Sequence, residues 1–152
     1  MAKWKLVNSE NVEPYVCSPD YTSKIMTGDE MAGHPVININ EGTLKAGMKN
    51  PGPSGGGETH EETEIYYIIE CGDSYVVLDN EYLPVKAGDI VVIPGGTRHY
   101  IDNTKSKTEF RLFTFWPRQE QNGVYHERLK DWGTSVRYKD NDYTEKRLKR
   151  KK

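Results

Sequence analysis

The sequence predicts an all-β fold in a single domain, on the basis of its length, the spacing of its apolar runs and the lack of a helical period. The chain has 152 residues, which is the size of one ordinary domain and leaves no room for a second. Short apolar runs recur at spacings of about 8–12 residues between turn signals. This pattern is typical of a β-sandwich or barrel.

Five runs are predicted as strands. Residues 36–40 alternate apolar and polar side chains, which suits a sheet with one buried face. The other four runs are rich in β-branched and aromatic residues, and turn sequences such as Pro94-Gly95-Gly96 separate them. These four runs are residues 63–70, 74–78, 90–93 and 110–116.

The barrel is predicted over residues 36–117, with a polar segment on each side. Residues 1–35 are rich in turn signals and are expected to add one or two strands, or an arm across a partner. Residues 118–152 are predicted as a polar extension whose scattered hydrophobic residues pack as a short helix or an extended arm. The last ten or so residues are expected to be disordered.

Charge and composition argue against several classes of function. The net charge is −2, but residues 145–152 carry +5, so the rest of the chain carries −7. An acidic body with a short basic tail is a poor match for nucleic acid. The chain has no run of 18 apolar residues and no apolar signal stretch at its start, so we expect a cytoplasmic protein that does not enter a membrane. Cys17 and Cys71 are expected to be reduced packing residues.

Two segments carry His, Glu, Gly and Pro at spacings typical of one protein family. The second segment fits the pattern G(X)5PXG(X)2H(X)3N at every fixed position, with Gly88, Pro94, Gly96, His99 and Asn103. In this segment the sequence resembles single-domain cupins. The resemblance implies a double-stranded β-helix, which is a jelly-roll-like barrel in which both motifs reach one metal site.

The first cupin motif, G(X)5HXH(X)3,4E(X)6G, is matched with two departures. Gly52, His60 and Glu64 stand at three of its positions. Glu58 stands where the first His is expected, and the final Gly comes one residue late. The two motifs together cover residues 52–103, about a third of the chain.

The resemblance implies that His60, Glu64 and His99 bind one divalent transition metal, with Glu58 as a fourth ligand. Imidazole and carboxylate ligands suit Mn, Fe, Zn, Ni or Co and do not suit Cu(I). If Glu58 does not bind, the remaining two His and one carboxylate form the set associated with non-haem Fe(II) chemistry. Glu58 would then be free to act as a general base beside the metal.

Aromatic and basic residues near the motifs are candidates for lining a substrate pocket. Tyr66 lies two residues after Glu64, so the two side chains share one face of the predicted strand. The candidate catalytic residues are Glu58 and Tyr66. The other pocket candidates are Arg98, Tyr100, Arg111 and Phe113.

Three functions fit these residues, because the fold alone does not define one. The first is a metal-dependent isomerase or lyase that acts on a small oxygen-rich substrate, such as a keto sugar, sugar acid or hydroxy acid. In this function the metal chelates vicinal oxygens while Glu58 or a tyrosine transfers a proton. The second is a non-haem Fe(II) dioxygenase, and the third is a non-catalytic cupin that binds a small molecule or serves as an accessory subunit. We also expect a homodimer, because similar small cupins often pair through N-terminal strands.

Overall fold

The computed structural model describes residues 5–27, 37–51, 55–116 and 123–150. Gly52 of the first motif, and both ends of the predicted barrel at residues 36 and 117, lie outside these ranges. Within them the helices are a 3-10 helix at Ser9–Asn11, α1 at Gly123–Trp132 and α2 at Tyr143–Leu148. The strands are β1 Tyr15–Ser18, β2 Tyr21–Ile25, β3 Asn38–Leu44, β4 Lys49–Asn50, β5 Glu64–Glu70, β6 Ser74–Leu78, β7 Glu81–Val85, β8 Ile90–Ile93, β9 His99–Asp102 and β10 Phe110–Trp116.

The strands form two sheets in which all paired neighbours are antiparallel. The order is β1-β2-β3-β10-β5-β8 in the larger sheet and β4-β9-β6-β7 in the smaller one. The prediction of an all-β, jelly-roll-like barrel is confirmed. The five predicted runs are found as β3, β5, β6, β8 and β10. Among the described helices, none combines the length and the apolar character needed to cross a membrane.

The main apolar core lies between the two sheets. Alternation along β5 turns Tyr66 and Ile68 inward, while Ile65 and Tyr67 point outward and are 36% and 39% exposed. Each fully buried aliphatic side chain of this kind stabilises the fold by about 1.5–3 kcal/mol. The remaining buried members of the cluster are Leu44, Val76, Val85, Val91, Ile93, Ile101, Phe110 and Leu112.

A second apolar cluster packs segments near both ends of the described chain against the larger sheet. Its buried members are Val12, Ile25, Met26 and Val136, and Ile39 and Phe113 pack against them. Val12 also pairs with Tyr138 in an isolated antiparallel bridge, and Leu6 N donates a hydrogen bond to Thr144 Oγ1 at 3.1 Å. The expectation of disorder is therefore wrong for α2, because Thr144 is buried against the N-terminal segment.

β7 is one of the strands that the sequence does not reveal. Four of its five residues are exposed, so it lacks the alternation that predicts a half-buried strand. A tight turn joins it to β6, in which Asp79 and Asn80 have φ values of 46° and 73°. Two consecutive positive φ values are typical of a type I′ hairpin turn, and Asn and Asp tolerate that conformation better than other non-glycine residues.

Asn103 links three segments beneath the barrel wall. It is 0% exposed. Its Nδ2 donates hydrogen bonds to Lys45 O at 3.1 Å and Thr108 O at 2.9 Å, and its Oδ1 accepts one from Ser74 Oγ at 2.5 Å. The asparagine of the second motif therefore has a structural role here.

Candidate metal centre

Three side chains from the two motifs converge on one oxygen atom. Glu64 Oε2 lies 3.1 Å from His60 Nε2 and 3.1 Å from His99 Nε2. One ligand atom from each of these residues lies within 4.8 Å of the other two. Glu64 and His99 are buried, and His60 is partly buried. We call these three residues the ligand trio.

The fold places the trio by joining the two sheets at one end of the barrel. Glu64 begins β5 in the larger sheet, and His99 begins β9 in the smaller one. Glu58 connects them, since its N–H donates to His99 O and its carbonyl accepts from His99 N, each at 2.9 Å. Gly96 N also donates to His60 O at 2.8 Å, which holds the loop before β9 against the segment before β5.

Backbone carbonyls set the orientation of both imidazole rings. His60 Nδ1 lies 2.8 Å from Glu62 O, and His99 Nδ1 lies 2.9 Å from Thr97 O. A carbonyl only accepts hydrogen bonds, so each Nδ1 carries the proton. In the neutral ring, Nε2 then presents a lone pair toward the Glu64 carboxylate. Two nitrogen lone pairs that face a carboxylate oxygen repel it. A bound cation between the two Nε2 atoms and Glu64 Oε2 would make this arrangement favourable.

Opposing effects act on His99. Burial is the largest and by itself lowers the pKa of the imidazole. The hydrogen bonds to Glu64 and to Thr97 O, with the negative charges of Glu64 and Glu58, outweigh burial, so the pKa of His99 is raised. The surroundings of His99 therefore favour positive charge at this point in the barrel.

The trio fits a divalent transition metal. Two imidazole nitrogens and a carboxylate oxygen are the donors that such ions prefer. Ligand atoms bound at about 2.0–2.2 Å and at right angles lie about 3 Å apart, and both Glu64 Oε2 to Nε2 distances are 3.1 Å. The carbonyls that hold each Nδ1–H supply the outer support usual for metal-binding histidines. The structure therefore contains a possible metal site at His60, Glu64 and His99.

Glu58 lies beside the trio and is not one of its three members. Its side chain lines the same cavity as Glu64, and among the described residues none donates a hydrogen bond to its carboxylate. Burial raises the pKa of the Glu58 carboxyl, the charge of Glu64 raises it further, and His99 and His60 oppose the change. Glu58 thus adds a second carboxyl to the site.

A small cavity of about 80 Å³ opens beside these carboxyls. Aromatic rings border it. The Tyr66 ring centroid lies 6.1 Å from that of His99, and the Trp116 centroid lies 4.2 Å from that of His60. Burial raises the pKa of Tyr66 well above its usual range, so its hydroxyl keeps its proton near neutral pH. Polar residues on the cavity wall include Ser23, Asn40, Asn50 and Thr114.

Strand alternation determines which of the pocket residues predicted from the sequence face the cavity. Tyr66 lines the cavity, whereas Arg98, Tyr100, Arg111 and Phe113 do not. Arg98 and Tyr100 flank the inward-facing His99, so they point outward. Arg111 and Phe113 likewise alternate with the inward-facing residues of β10. None of these four residues lines this cavity, and a role for them in substrate binding stays a prediction.

Sequence reasoning missed several residues of the cavity wall. Thr114 and Trp116 follow Leu112 at intervals of two along β10, so the alternation that predicts this strand also predicts that they face inward. Ser23 carries no such signal, because it lies in the segment that the sequence assigns to an arm. Asn40 lies on the polar side of the alternation in residues 36–40, which an amphipathic interpretation assigns to solvent.

A barrel of two antiparallel sheets with a His/Glu/His cluster at one end is the arrangement that the resemblance to cupins implies. Residues 49–116 match the sequence model of the family described as Cupin domain. This match covers 68 of the 152 residues, and together with the similar solved structures described below it supports membership of the cupin superfamily.

Two related proteins match part of the chain. The Oxalate-binding protein of Thermotoga maritima is 42% identical over 67 residues, which are 43% of this chain and 54% of that protein. An uncharacterized protein of Methanocaldococcus jannaschii is 52% identical over 40 residues, which are 26% of this chain and 31% of that protein. The chain thus spans about half and about a third of the length of these relatives.

Similar solved structures extend over more of the chain at lower identity. The polyketide cyclase RemF from Streptomyces resistomycificus has a TM-score of 0.65 at 18% identity, with 93% of this chain and 92% of that chain covered. A predicted oxalate decarboxylase from Thermotoga maritima has a TM-score of 0.59 at 22% identity, with coverage of 74% and 97%. Salicylate 1,2-dioxygenase from Pseudoaminobacter salicylatoxidans has a TM-score of 0.52 at 20% identity, with coverage of 84% and 33%. At these identities the likeness shows a shared fold.

Proposed function

We propose that this cupin is a metal-dependent isomerase or lyase that acts on a small oxygen-rich substrate, such as a keto sugar, sugar acid or hydroxy acid. The observation that carries the proposal is the position of Glu58. Glu58 lines the cavity beside the ligand trio but is not a member of the trio. Its carboxyl accepts no hydrogen bond from the described residues. A carboxyl so placed is available to a bound substrate as a proton carrier.

His60, Glu64 and His99 would hold the metal. A bound divalent ion supplies Lewis acidity, which draws electrons from a substrate carbonyl or hydroxyl oxygen and makes a neighbouring C–H bond more acidic. The chain's own contribution is to fix the two imidazole rings through Glu62 O and Thr97 O, so that both Nε2 atoms face one point.

Glu58 and Tyr66 have different roles in proton transfer and substrate binding. Glu58 removes a proton from a carbon beside the substrate carbonyl. In an isomerisation it returns that proton to a neighbouring atom, and in an elimination the electron pair expels a leaving group from the adjacent carbon. Tyr66 keeps its proton, since burial raises its pKa, and donates a hydrogen bond to a substrate oxygen. The name of the Thermotoga maritima relative, which refers to oxalate, supports a ligand that carries carboxylate oxygens.

The Glu58→Gln variant tests this assignment. Wild-type protein and variant are incubated in D2O with a panel of keto sugars, sugar acids and hydroxy acids, and NMR follows exchange of C–H protons for deuterium. We expect exchange with at least one compound in the wild type, a loss of about 10²–10⁴-fold in the variant, and the same metal content in both. Glu61→Gln is the matched control, because Glu61 is an exposed carboxylate in the same segment.

Three results would contradict the proposal. Loss of metal from Glu58→Gln would make Glu58 a ligand, and full exchange by the metal-loaded variant would remove it from the chemistry. Absence of exchange with every compound in the wild type would favour a non-catalytic binding cupin.

A second candidate function is a non-haem Fe(II) dioxygenase. The observation that favours it is the ligand trio itself, because two histidines and one carboxylate form the set found in such enzymes. Oxygen uptake by the Fe(II)-loaded protein on addition of a substrate would support this function and displace the first.

A further inference from the structure

Three neighbouring strands place one polar side chain each on the cavity wall in a single row. Thr114 of β10 is the direct cross-strand partner of Asn40 on β3 and of Tyr66 on β5. All three residues line the cavity, and they are only 9% (Asn40), 5% (Thr114) and 7% (Tyr66) exposed. Directly opposed residues in a sheet have Cβ atoms about 5 Å apart, so their side chains form one continuous surface, which we call the polar row.

Every member of the polar row has a hydrogen-bonding group without a partner among the described residues. These groups are Asn40 Nδ2, the Thr114 hydroxyl and the Tyr66 hydroxyl. All three residues border the cavity, so these groups can bond to water or to the acceptor oxygens of a ligand that enters it. Three donors side by side form a surface that suits a ligand with several acceptor oxygens.

A fixed chain of hydrogen bonds determines which end of the Asn40 amide faces the cavity. Arg128 Nη1 lies 3.0 Å from Ser23 Oγ, and Ser23 Oγ lies 2.5 Å from Asn40 Oδ1. A guanidinium only donates, so Ser23 must use its one proton on Asn40 Oδ1. The amide oxygen of Asn40 is thereby occupied, and its N–H groups are left to face the ligand.

Arg128 brings positive charge behind this end of the row. It belongs to α1 and is 1% exposed. Through Ser23 its charge polarises the Asn40 amide and strengthens it as a donor. The charged residues that line the cavity in the described part of the chain are Glu58 and Glu64. An anionic group is therefore repelled at the trio end when no metal is bound, and favoured at the Asn40 end.

We propose that the polar row binds a substrate carboxylate at Asn40 and Thr114, and that Arg128 is a positioning residue that acts through Ser23. β3 and β5 are two strands apart, about 10 Å. A small acid held at Asn40 extends past Tyr66, which donates to a second oxygen, toward the ligand trio. The inference rests on the proposed function only in placing the remaining substrate oxygens at the metal centre, and it narrows the substrate class to small carboxylic acids.

Calorimetric titration tests the proposal. Metal-loaded wild-type protein is titrated with lactate, glycerate and pyruvate, and with the neutral amide of each acid. We expect at least one acid to bind tenfold or more tightly than its own amide, as a charge-assisted hydrogen bond is worth about that much. Asn40→Asp is expected to abolish this preference and leave the metal content unchanged, since Asp still accepts from Ser23 but presents an oxygen where Nδ2 stood.

Further variants separate recognition from a general loss of structure. Thr114→Val removes a hydroxyl at nearly constant shape and should weaken acid binding, and Thr114→Ser should restore it. Ser23→Ala and Arg128→Met should each lower the acid-to-amide ratio several-fold, and Arg128→Lys should retain more of it. A merely structural role would weaken acids and amides alike and would leave the ratio unchanged, which would overturn the role of Arg128.

The outcomes also distinguish this inference from the proposed function. Full metal content with no preference for any acid over its amide would overturn the polar row alone. Failure to bind metal would overturn the proposed function, and the acid-to-amide ratio measured on the metal-free protein would still decide the inference. An acid preference that survives Asn40→Asp would also overturn it.

Discussion

Glu58 and His99 exchange both of their backbone hydrogen bonds, each at 2.9 Å. This bridge ties the segment before β5 to the first residue of β9, and so holds the two cupin motifs together at the backbone. The side chains of Glu58 and His99 consequently face the same region from adjacent backbone positions. One places a carboxyl on the cavity wall and the other completes the ligand trio.

Removal of either histidine of the trio is expected to release the metal. Protein purified without added metal should contain near-stoichiometric transition metal by elemental analysis. His60→Ala or His99→Ala should lower the metal content to about a tenth or less. Loss of a group that supports a ligand already weakens metal affinity by roughly 10–100-fold, and loss of the ligand itself should weaken it at least as much. His126→Ala is the matched control, since His126 is an exposed histidine on α1. A wild-type protein that takes up no metal when it is supplied would contradict the assignment.

Gly95→Ala is expected to weaken both the fold and the metal centre. A Cβ on Gly95 would collide with Glu61 O, which lies in the segment between His60 and Glu64. The strain should lower the free energy of unfolding by about 1–3 kcal/mol and reduce metal retention, as measured by urea unfolding and elemental analysis. Gly56→Ala should change neither, because its added Cβ would meet only Arg98 Nη1 at 3.9 Å.

Asn103→Ala is expected to destabilise the protein strongly without changing the ligand trio. The substitution removes three hydrogen bonds and leaves the Ser74 hydroxyl and Lys45 O without their Asn103 partner, while Thr108 O keeps its hydrogen bond from Ser106 Oγ. A loss of about 3 kcal/mol should appear in urea unfolding. Lys107→Ala, at an exposed neighbouring position, should stay within about 0.5 kcal/mol of the wild type. Equal stability of the two variants would show that Asn103 does not tie these segments together.

The contribution of Tyr15 to stability should disappear at alkaline pH. The pKa of Tyr15 is raised from 10.0 to about 12. The largest cause is the hydrogen bond that Tyr15 OH donates to Asp131 Oδ2 at 2.8 Å, followed by burial and by the charge of Asp131. A raised pKa means that the native state favours the protonated hydroxyl, so the stabilisation is complete below about pH 10 and is lost as the pH rises through about 12. The stability difference between wild type and Tyr15→Phe should therefore shrink over that range. Tyr67→Phe, at an outward-facing position on β5, serves as the control, and a difference for Tyr15→Phe that persists at high pH would contradict the assignment.

The sequence predicts the trio through its resemblance to cupins, because no local pattern brings His99 to His60 and Glu64. The central strands have a physical signal of their own. β5 and β10 are likewise found where predicted, because one of their faces is buried and alternation follows from that burial.

The rest of the site depends on contacts between distant segments. Ser23, Asn40 and Arg128 come from β2, β3 and α1, and no local pattern brings them together. The polar residues on β3 look in the sequence like a solvent-facing set, although Asn40 faces the cavity. An amphipathic interpretation assigns polar residues to the outside, and it fails where a barrel encloses a polar cavity.

The contact between the first and last described segments has a consequence for protein engineering. Leu6 and Thr144 hydrogen-bond in both directions, N–H to Oγ1 at 3.1 Å and Oγ1 to the Leu6 carbonyl at 3.2 Å. A short linker between the two end segments would therefore span little distance, and new termini placed at the exposed Asp79-Asn80 turn would give a circular permutant. In that permutant the segments that contribute Ser23 and Arg128 would be closer together in sequence than they are in the present order.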